Sequence, residues 1–403
     1  MSVAQIPQVK NSSQPLTVAA NAAFVPIGIV TVLLGPMLPT LSAKWSLNYT
    51  QAGSLFTVQF LASTVGVALS GLCVSRWGFR FAIKIGLLGM AAGVAALPYS
   101  SRILGMLCIA LYGVGLGLAI PAANLLVADV NPLRRSAALN RLNFSWSTGA
   151  VACPFLVASA APRGQLTLLL ASFAAVLFLV CLGIAAMPSH IVEPHVTRAK
   201  SATSAAPIDW RSASLPLFAA LFFLYVGAEN SVGGWIASYA KTFGTGPFDL
   251  ALMSPSFFYS ALMIGRWLAS ILLHRIEDVT LARAGLLLAC AGLVWLLFSH
   301  ALPSVLVGAS IAGFGLAAVY PITISLLSHE FGDATSRIGS GMFTMANFGG
   351  AFMPWLLGYA SNRFGSLLAG MIVPLVAAGS MCALYFFNWN SSRRRFRSTE
   401  IHS

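Results

Sequence analysis

Glu229 is the only carboxylate near the middle of any long apolar stretch of this chain. An ionisable group so placed is costly to keep, and a functional role is its default reading. Three roles are open to it: carrying a proton, hydrogen bonding a ligand directly, or tying neighbouring helices together. Four more side chains have types that suit a polyhydroxylated solute. Asn143 and Asn347 carry amides that bond hydroxyls in pairs, and Trp146 and Trp235 carry indole faces that fit the apolar side of a sugar ring. Each also has an ordinary reading, as an interhelical amide or a packed ring.

Asn124, Gln59, Tyr259 and Tyr320 form a second rank. Tyr320 precedes Pro321 and could cap a bend, while Tyr259 could pack against a neighbouring helix. Arg266 lies about two turns from the end of its stretch, so its head group is expected to snorkel to the water interface. Asp129 and Glu330 close the fourth and tenth stretches and are expected to pair with basic loop residues as part of a gate. His190 and His195 have no third ligand nearby, so neither a metal nor a cofactor is expected. Cys73, Cys108, Cys153, Cys181, Cys290 and Cys382 make no CxxC or CxH spacing and read as small buried hydrophobes. An enzyme embedded in the membrane would need His–Asp or Ser–His pairs, or clustered acids, within the apolar stretches, which contain none.

The elements that must position these residues follow from composition. The chain has 403 residues, 58% hydrophobic and 8% charged, against roughly 25% charged in soluble domains. Apolar spans fall at 17–40, 52–74, 81–99, 103–129, 138–161, 165–187, 213–240, 251–273, 280–299, 302–328, 338–361 and 365–388. Each approaches the ~20 residues that cross a bilayer as a helix. Little chain remains for a catalytic domain outside the membrane. The first residues lack the basic start and cleavage site of a signal peptide, so the first span is expected to act as an uncleaved insertion signal.

The net charge of +13 does not point to nucleic acid, because the basic residues cluster between spans. Lys44, Arg102, Arg163, Lys241 and Arg363 fall on one side of the spans, and the other 18 of the 23 Lys and Arg, termini and the span end at Arg266 included, fall toward the opposite side. That bias predicts both termini in the cytoplasm. The basic run Arg393 to Arg397 then becomes an anchor to anionic lipid.

Shifting the first half by 199 or 200 residues aligns it with the second. Gly28 and Gly35 meet Gly227 and Gly234; Gly66 and Arg76 meet Gly265 and Arg275; Gly86 and Gly93 meet Gly285 and Gly292. Gly113, Gly115 and Pro121 meet Gly313, Gly315 and Pro321, and Gly149 and Pro154 meet Gly349 and Pro354. The fold expected is an all-α membrane protein of twelve transmembrane helices in two pseudo-symmetric six-helix bundles. Residues 1–187 form the first half, 188–212 a polar cytoplasmic linker, and 213–403 the second half. Parallel six-helix repeats are the plan of carriers that rock about a central site.

The segment Gly71-Leu-Cys-Val-Ser75-Arg76-Trp-Gly78-Phe-Arg80 resembles the loop signature of the major facilitator superfamily, Gly-xxx-Asp-Arg/Lys-x-Gly-Arg, with Ser75 in place of Asp. Arg76, Gly78 and Arg80 would then serve the gating loop, without the latch that the acid makes. GLGLAIPAANLLVADVNP, continuing into LNRLNFSWSTGA, and YVGAENSVGGWIASY resemble the fucose permease branch of sugar–proton symporters. That resemblance places Asn143 and Trp146 on the branch's polar fifth-span positions. Ile120 stands where the branch has an acid, and 17–40 contains no Asp or Glu, so the branch's own proton carriers are missing.

These readings together predict a monomeric secondary transporter of the bacterial inner membrane. It would import a small polar solute, a sugar or related metabolite, by alternating access with protons coupled through Glu229. Efflux of drug-like or amphipathic compounds is the alternative.

Overall fold

The computed structural model describes residues 14–187, 214–244 and 249–400, and every regular element among the described residues is helical. In chain order these are α1 (Gln14–Val32), α2 (Leu34–Lys44), α3 (Tyr49–Trp77), α4 (Phe79–Ala96), α5 (Arg102–Val130), α6 (Arg135–Ala160) and α7 (Leu166–Ala185). They continue with α8 (Ser214–Lys241), α9 (Leu250–Leu272), α10 (Asp278–Leu297), α11 (Leu302–Leu316), α12 (Val319–Phe331), α13 (Thr335–Phe364), α14 (Leu367–Gly370) and α15 (Ile372–Glu400). Ten helical rods among the described residues are long and apolar enough to cross a membrane. Helices α9 and α13, the eighth and eleventh expected spans, are of similar length but fall outside that set. The expected linker 188–212, with His190 and His195, lies outside the described residues.

Three expected spans are broken, and proline explains each break. A proline lacks the N–H that would bond the carbonyl four residues earlier. Pro36 leaves Val32 without a donor where α1 ends, Pro374 leaves Gly370 without one where α14 ends, and Pro321 does so for Ala317 between α11 and α12. Pro121 and Pro154 are absorbed within continuous helices.

Contacts gather the chain into two compact units. One comprises Met1–Thr31, Ala62–Ala150 and Thr167–Lys200; the other comprises Val32–Leu61, Val151–Leu166 and Ser201–Ser403. In the first unit α4 meets α5 so closely that a Cβ on Gly86 would lie 2.7 Å from the Gly115 carbonyl oxygen. The repeat-related contact recurs in the second unit, where a Cβ on Gly285 would lie 2.6 Å from the Gly315 oxygen. Likewise Gly149 presses on the Val25 carbonyl in the first unit and Gly349 on the Phe223 carbonyl in the second. Small residues let backbones approach where lipid gives helices no hydrophobic drive to associate. The glycines spaced by 199–200 residues therefore mark equivalent helix crossings.

In the second unit, α2 and the start of α3 pack on helices from much later in the chain. Gly35 faces the Gly233 carbonyl, and Gly53 faces the Pro354 carbonyl. Thr57 donates from Oγ1 to the Ala351 carbonyl at 2.8 Å, and Ser256 donates from Oγ to the Val151 carbonyl at 2.8 Å. Outward-facing Leu72, Ile103, Leu168, Leu179 and Phe387 leave an apolar exterior, as an α-helical protein solvated by lipid requires.

Candidate functional site

Helix α8 places Tyr225 and Glu229 four residues apart, on one face. Glu229 stands 15 residues from Ser214 and 12 from Lys241, deep in the rod. Its carboxylate Oε2 lies 3.7 Å from Nη2 of Arg266 on α9. The same nitrogen donates to the Tyr225 hydroxyl at 3.5 Å. The side chain of Glu229 is 12% exposed and that of Arg266 is 26% exposed, so the pair is largely withdrawn from the surroundings.

The expectation that Arg266 snorkels to the interface is therefore corrected. Its direction follows from helix polarity, because every Cα–Cβ bond tilts toward its helix's N-terminus. Helices α8 and α9 follow one another in the chain and are packed together. The Ser214 end of α8 is the level of the Leu272 end of α9. Glu229 leans toward Ser214 and Arg266 leans toward Leu250, so the two side chains converge. Snorkelling would have turned Arg266 the other way.

Aromatic rings wall this pair. The Tyr225 and Tyr320 rings lie 5.1 Å apart, and Phe222 meets Tyr320 edge-on at 5.5 Å. Both Tyr320 and Tyr259 stand in the electrostatic field of Glu229 and Arg266. Gly233 makes room for Tyr259, whose hydroxyl occupies the space a Cβ would fill. Glu229, Tyr259 and Tyr320, three of the residues singled out in the sequence, are thus brought together. Arg266 and Tyr225 complete the group. Tyr225 was missed, although its position one turn before Glu229 was a signal.

The other candidates divide between the units. Asn347 is half-buried on α13 in the second unit, and Gln59 is buried there on α3. Trp235 is 1% exposed, with its indole N–H donated to the Pro354 carbonyl at 3.0 Å and its ring against Tyr49 and Phe56. In this conformer the ring is packed among α3, α8 and α13, the ordinary one of its two readings. Glu330 accepts a hydrogen bond from Ser214 at 2.7 Å, so a hydroxyl engages the group expected to meet a basic loop residue.

In the first unit Trp146 is half-buried and donates to Thr31 Oγ1 at 3.2 Å. Asn124 is half-buried and bonds the Ile120 carbonyl with its amide nitrogen, and Asn143 is exposed with its nitrogen on the Leu139 carbonyl. Asp129 is exposed at the end of α5. In the loop signature, Gly78 adopts a φ of 84° as it opens α4, a backbone state that favours glycine. Ser75 bonds its own helix at Leu72, Arg76 lies over the Trp77 ring, and Arg80 reaches the Met187 carbonyl at 3.4 Å. The described residues contain no group of three His, Cys, Asp or Glu placed to hold a metal.

A model of the Major Facilitator Superfamily matches residues 21–354. The chain belongs to that superfamily. Its members are transporters and not enzymes, and the all-helical architecture is theirs. A glucose/galactose transporter of Brucella abortus is 27% identical over 391 residues, covering 91% of this chain and 92% of its own. Among solved structures, a bacterial homologue of the human lysosomal transporter Spinster superposes with a TM-score of 0.77 at 14% identity, covering 94% of this chain and 97% of its own. The Escherichia coli fucose:proton symporter superposes with a TM-score of 0.64 at 18% identity, covering 94% and 99%. This facilitator thus carries the resemblance read from its fourth, fifth and seventh spans along nearly its whole length. Its buried acid–guanidinium pair lies on its seventh and eighth spans.

Proposed function

We propose that this facilitator is a sugar carrier that works by alternating access, with proton coupling through Glu229. One observation carries the reading. A carboxylate is held by a guanidinium, beside a tyrosine hydroxyl, inside a superfamily member whose near-full-length relative is a glucose/galactose transporter.

A proton on Glu229 removes the charge that holds Arg266, and the loss of that attraction is what a coupled carrier can convert into movement. Asn124, Asn143, Asn347, Gln59 and Trp146 are assigned to hydroxyl and ring recognition, with Tyr259 and Tyr320 beside the proton site. Alternation requires one face of the protein to open. The contact of α2 and α3 on the later helices is suited to this, resting on glycine surfaces and on the Thr57–Ala351 hydrogen bond, worth about 1 kcal/mol. The loop charges put that contact on the outer side of a bacterial inner membrane, with both termini in the cytoplasm. The carrier is read as a monomer seated in membrane lipid, with Arg76, Gly78, Arg80, Asp129 and Glu330 at the cytoplasmic gate.

The test is uptake of labelled glucose and galactose into proteoliposomes under an imposed pH gradient, with an imposed sodium gradient as comparison. Accumulation is expected under the proton gradient. Glu229→Gln is expected to abolish that accumulation while retaining sugar exchange at equal pH. Transport by Glu229→Gln at the wild-type rate with unchanged pH dependence would overturn the coupling. Uptake driven by sodium alone would do the same.

A further inference from the structure

We propose that the Glu229–Arg266 pair is a proton-gated receptor for a carboxylate, so that this facilitator also carries sugar acids of the uronate or aldonate type. The proposal rests on Glu229 as the proton carrier and extends it to a second class of substrate.

The geometry of the pair is the starting point. Its one ion contact is long, at 3.7 Å, and engages Nη2 of Arg266, the nitrogen that also meets Tyr225. A guanidinium carries five N–H donors in a fixed fork suited to two oxygens at once. Arg266 is also the more exposed partner, at 26% against 12%. Nη2 is thus the one nitrogen of the fork with contacts to Glu229 and Tyr225, which leaves further donors for a second carboxylate.

Charge balance then selects the ligand. While Glu229 is ionised the pair is neutral, and a second carboxylate approaching Arg266 would meet a like charge. Once Glu229 takes a proton, Arg266 becomes a partly buried cation with no counter-charge. A neutral sugar can hydrogen-bond that cation but cannot neutralise it. A sugar carboxylate does both, with its hydroxyls left for the tyrosine hydroxyls near the pair. One proton and one carboxylate therefore enter together, and each favours the other by linkage.

Among the described residues, no other charge is recorded beside the pair. Tyr225 on α8, Tyr259 on α9 and Tyr320 on α12 surround it, and Cys153 on α6 is a neighbour of Tyr259. The other helices packed on α8 carry their described charged side chains toward their ends, as Lys44 on α2 and Arg363 on α13 do. Tyr385 on α15 is bonded to Thr323.

The experiment measures glucuronate and galactose binding to the full-length protein in lipid nanodiscs, between about pH 8 and about pH 5.5. Glucuronate affinity is expected to rise by up to about tenfold per pH unit as pH falls, as linkage to one proton requires. Glu229→Gln should bind glucuronate tightly across the range, with that slope gone. Arg266→Gln should lose glucuronate binding by about 100-fold or more, and Arg266→Lys, which keeps the charge, should recover part of it. Monodispersity and thermal unfolding report whether each variant has folded. Absence of glucuronate binding at every pH, in protein that binds galactose, overturns the proposal. So does a wild-type glucuronate affinity that is flat with pH. Either result leaves proton-driven hexose uptake to stand or fall on its own measurement.

Discussion

Glu229 and Arg266 show how a residue's role depends on which way its side chain can lean. Both were visible in the sequence, yet only Glu229 was given a task, because position along a span does not reveal direction. The opposed tilt of Cβ on two antiparallel neighbours brings the side chains together. Tyr225 adds a hydroxyl to the same guanidinium nitrogen. Tyr225→Phe removes that bond while keeping the ring against Tyr320, so a loss of about 1 kcal/mol is expected. In a chain of this size that lowers the thermal midpoint by a few degrees, read by a fluorescence melt in lipid or detergent. A midpoint equal to wild type would show that the hydroxyl contributes nothing there.

The helices owe their close crossings to glycines at repeat-related positions, and single substitutions can test this. Gly86 and Gly285 each face the carbonyl of a glycine on the next helix, in separate units. Gly86→Leu and Gly285→Leu should each destabilise the protein by about 1–3 kcal/mol, since neither backbone can retreat without disturbing its neighbours. A comparable loss in both melts would confirm that the two crossings are equivalent. This part of the fold was legible because a glycine needed for close approach leaves its mark in the sequence itself. The pairing of Trp235 with Pro354 was not legible. An indole on an apolar span reads the same whether it faces a ligand or a carbonyl on another helix.

At the scale of the whole molecule, the contact of α2 and α3 on later helices is what alternating access would have to break. Gly35 lies against the Gly233 carbonyl, with no space for a ring. Gly35→Trp should hold that contact apart, lowering sugar uptake by about 100-fold or more while ligand-induced thermal stabilisation persists. Uptake at the wild-type rate would show that this contact need not close. Both termini are expected in the cytoplasm, so a C-terminal fusion to green fluorescent protein should fluoresce and one to alkaline phosphatase should stay inactive.

The order of residues alone says that the chain lives in a bilayer, repeats after 199–200 residues, and carries one acid deep in a span. Hydropathy, glycine spacing and loop charge are properties of the residues taken in order, and they survive without coordinates. That Arg266 turns inward to that acid, that Trp235 is packed away in this conformer, and that α2 and the start of α3 rest on later helices is visible from the packed helices alone. Those outcomes depend on the rotation and polarity of helices packed against one another, which no single span records.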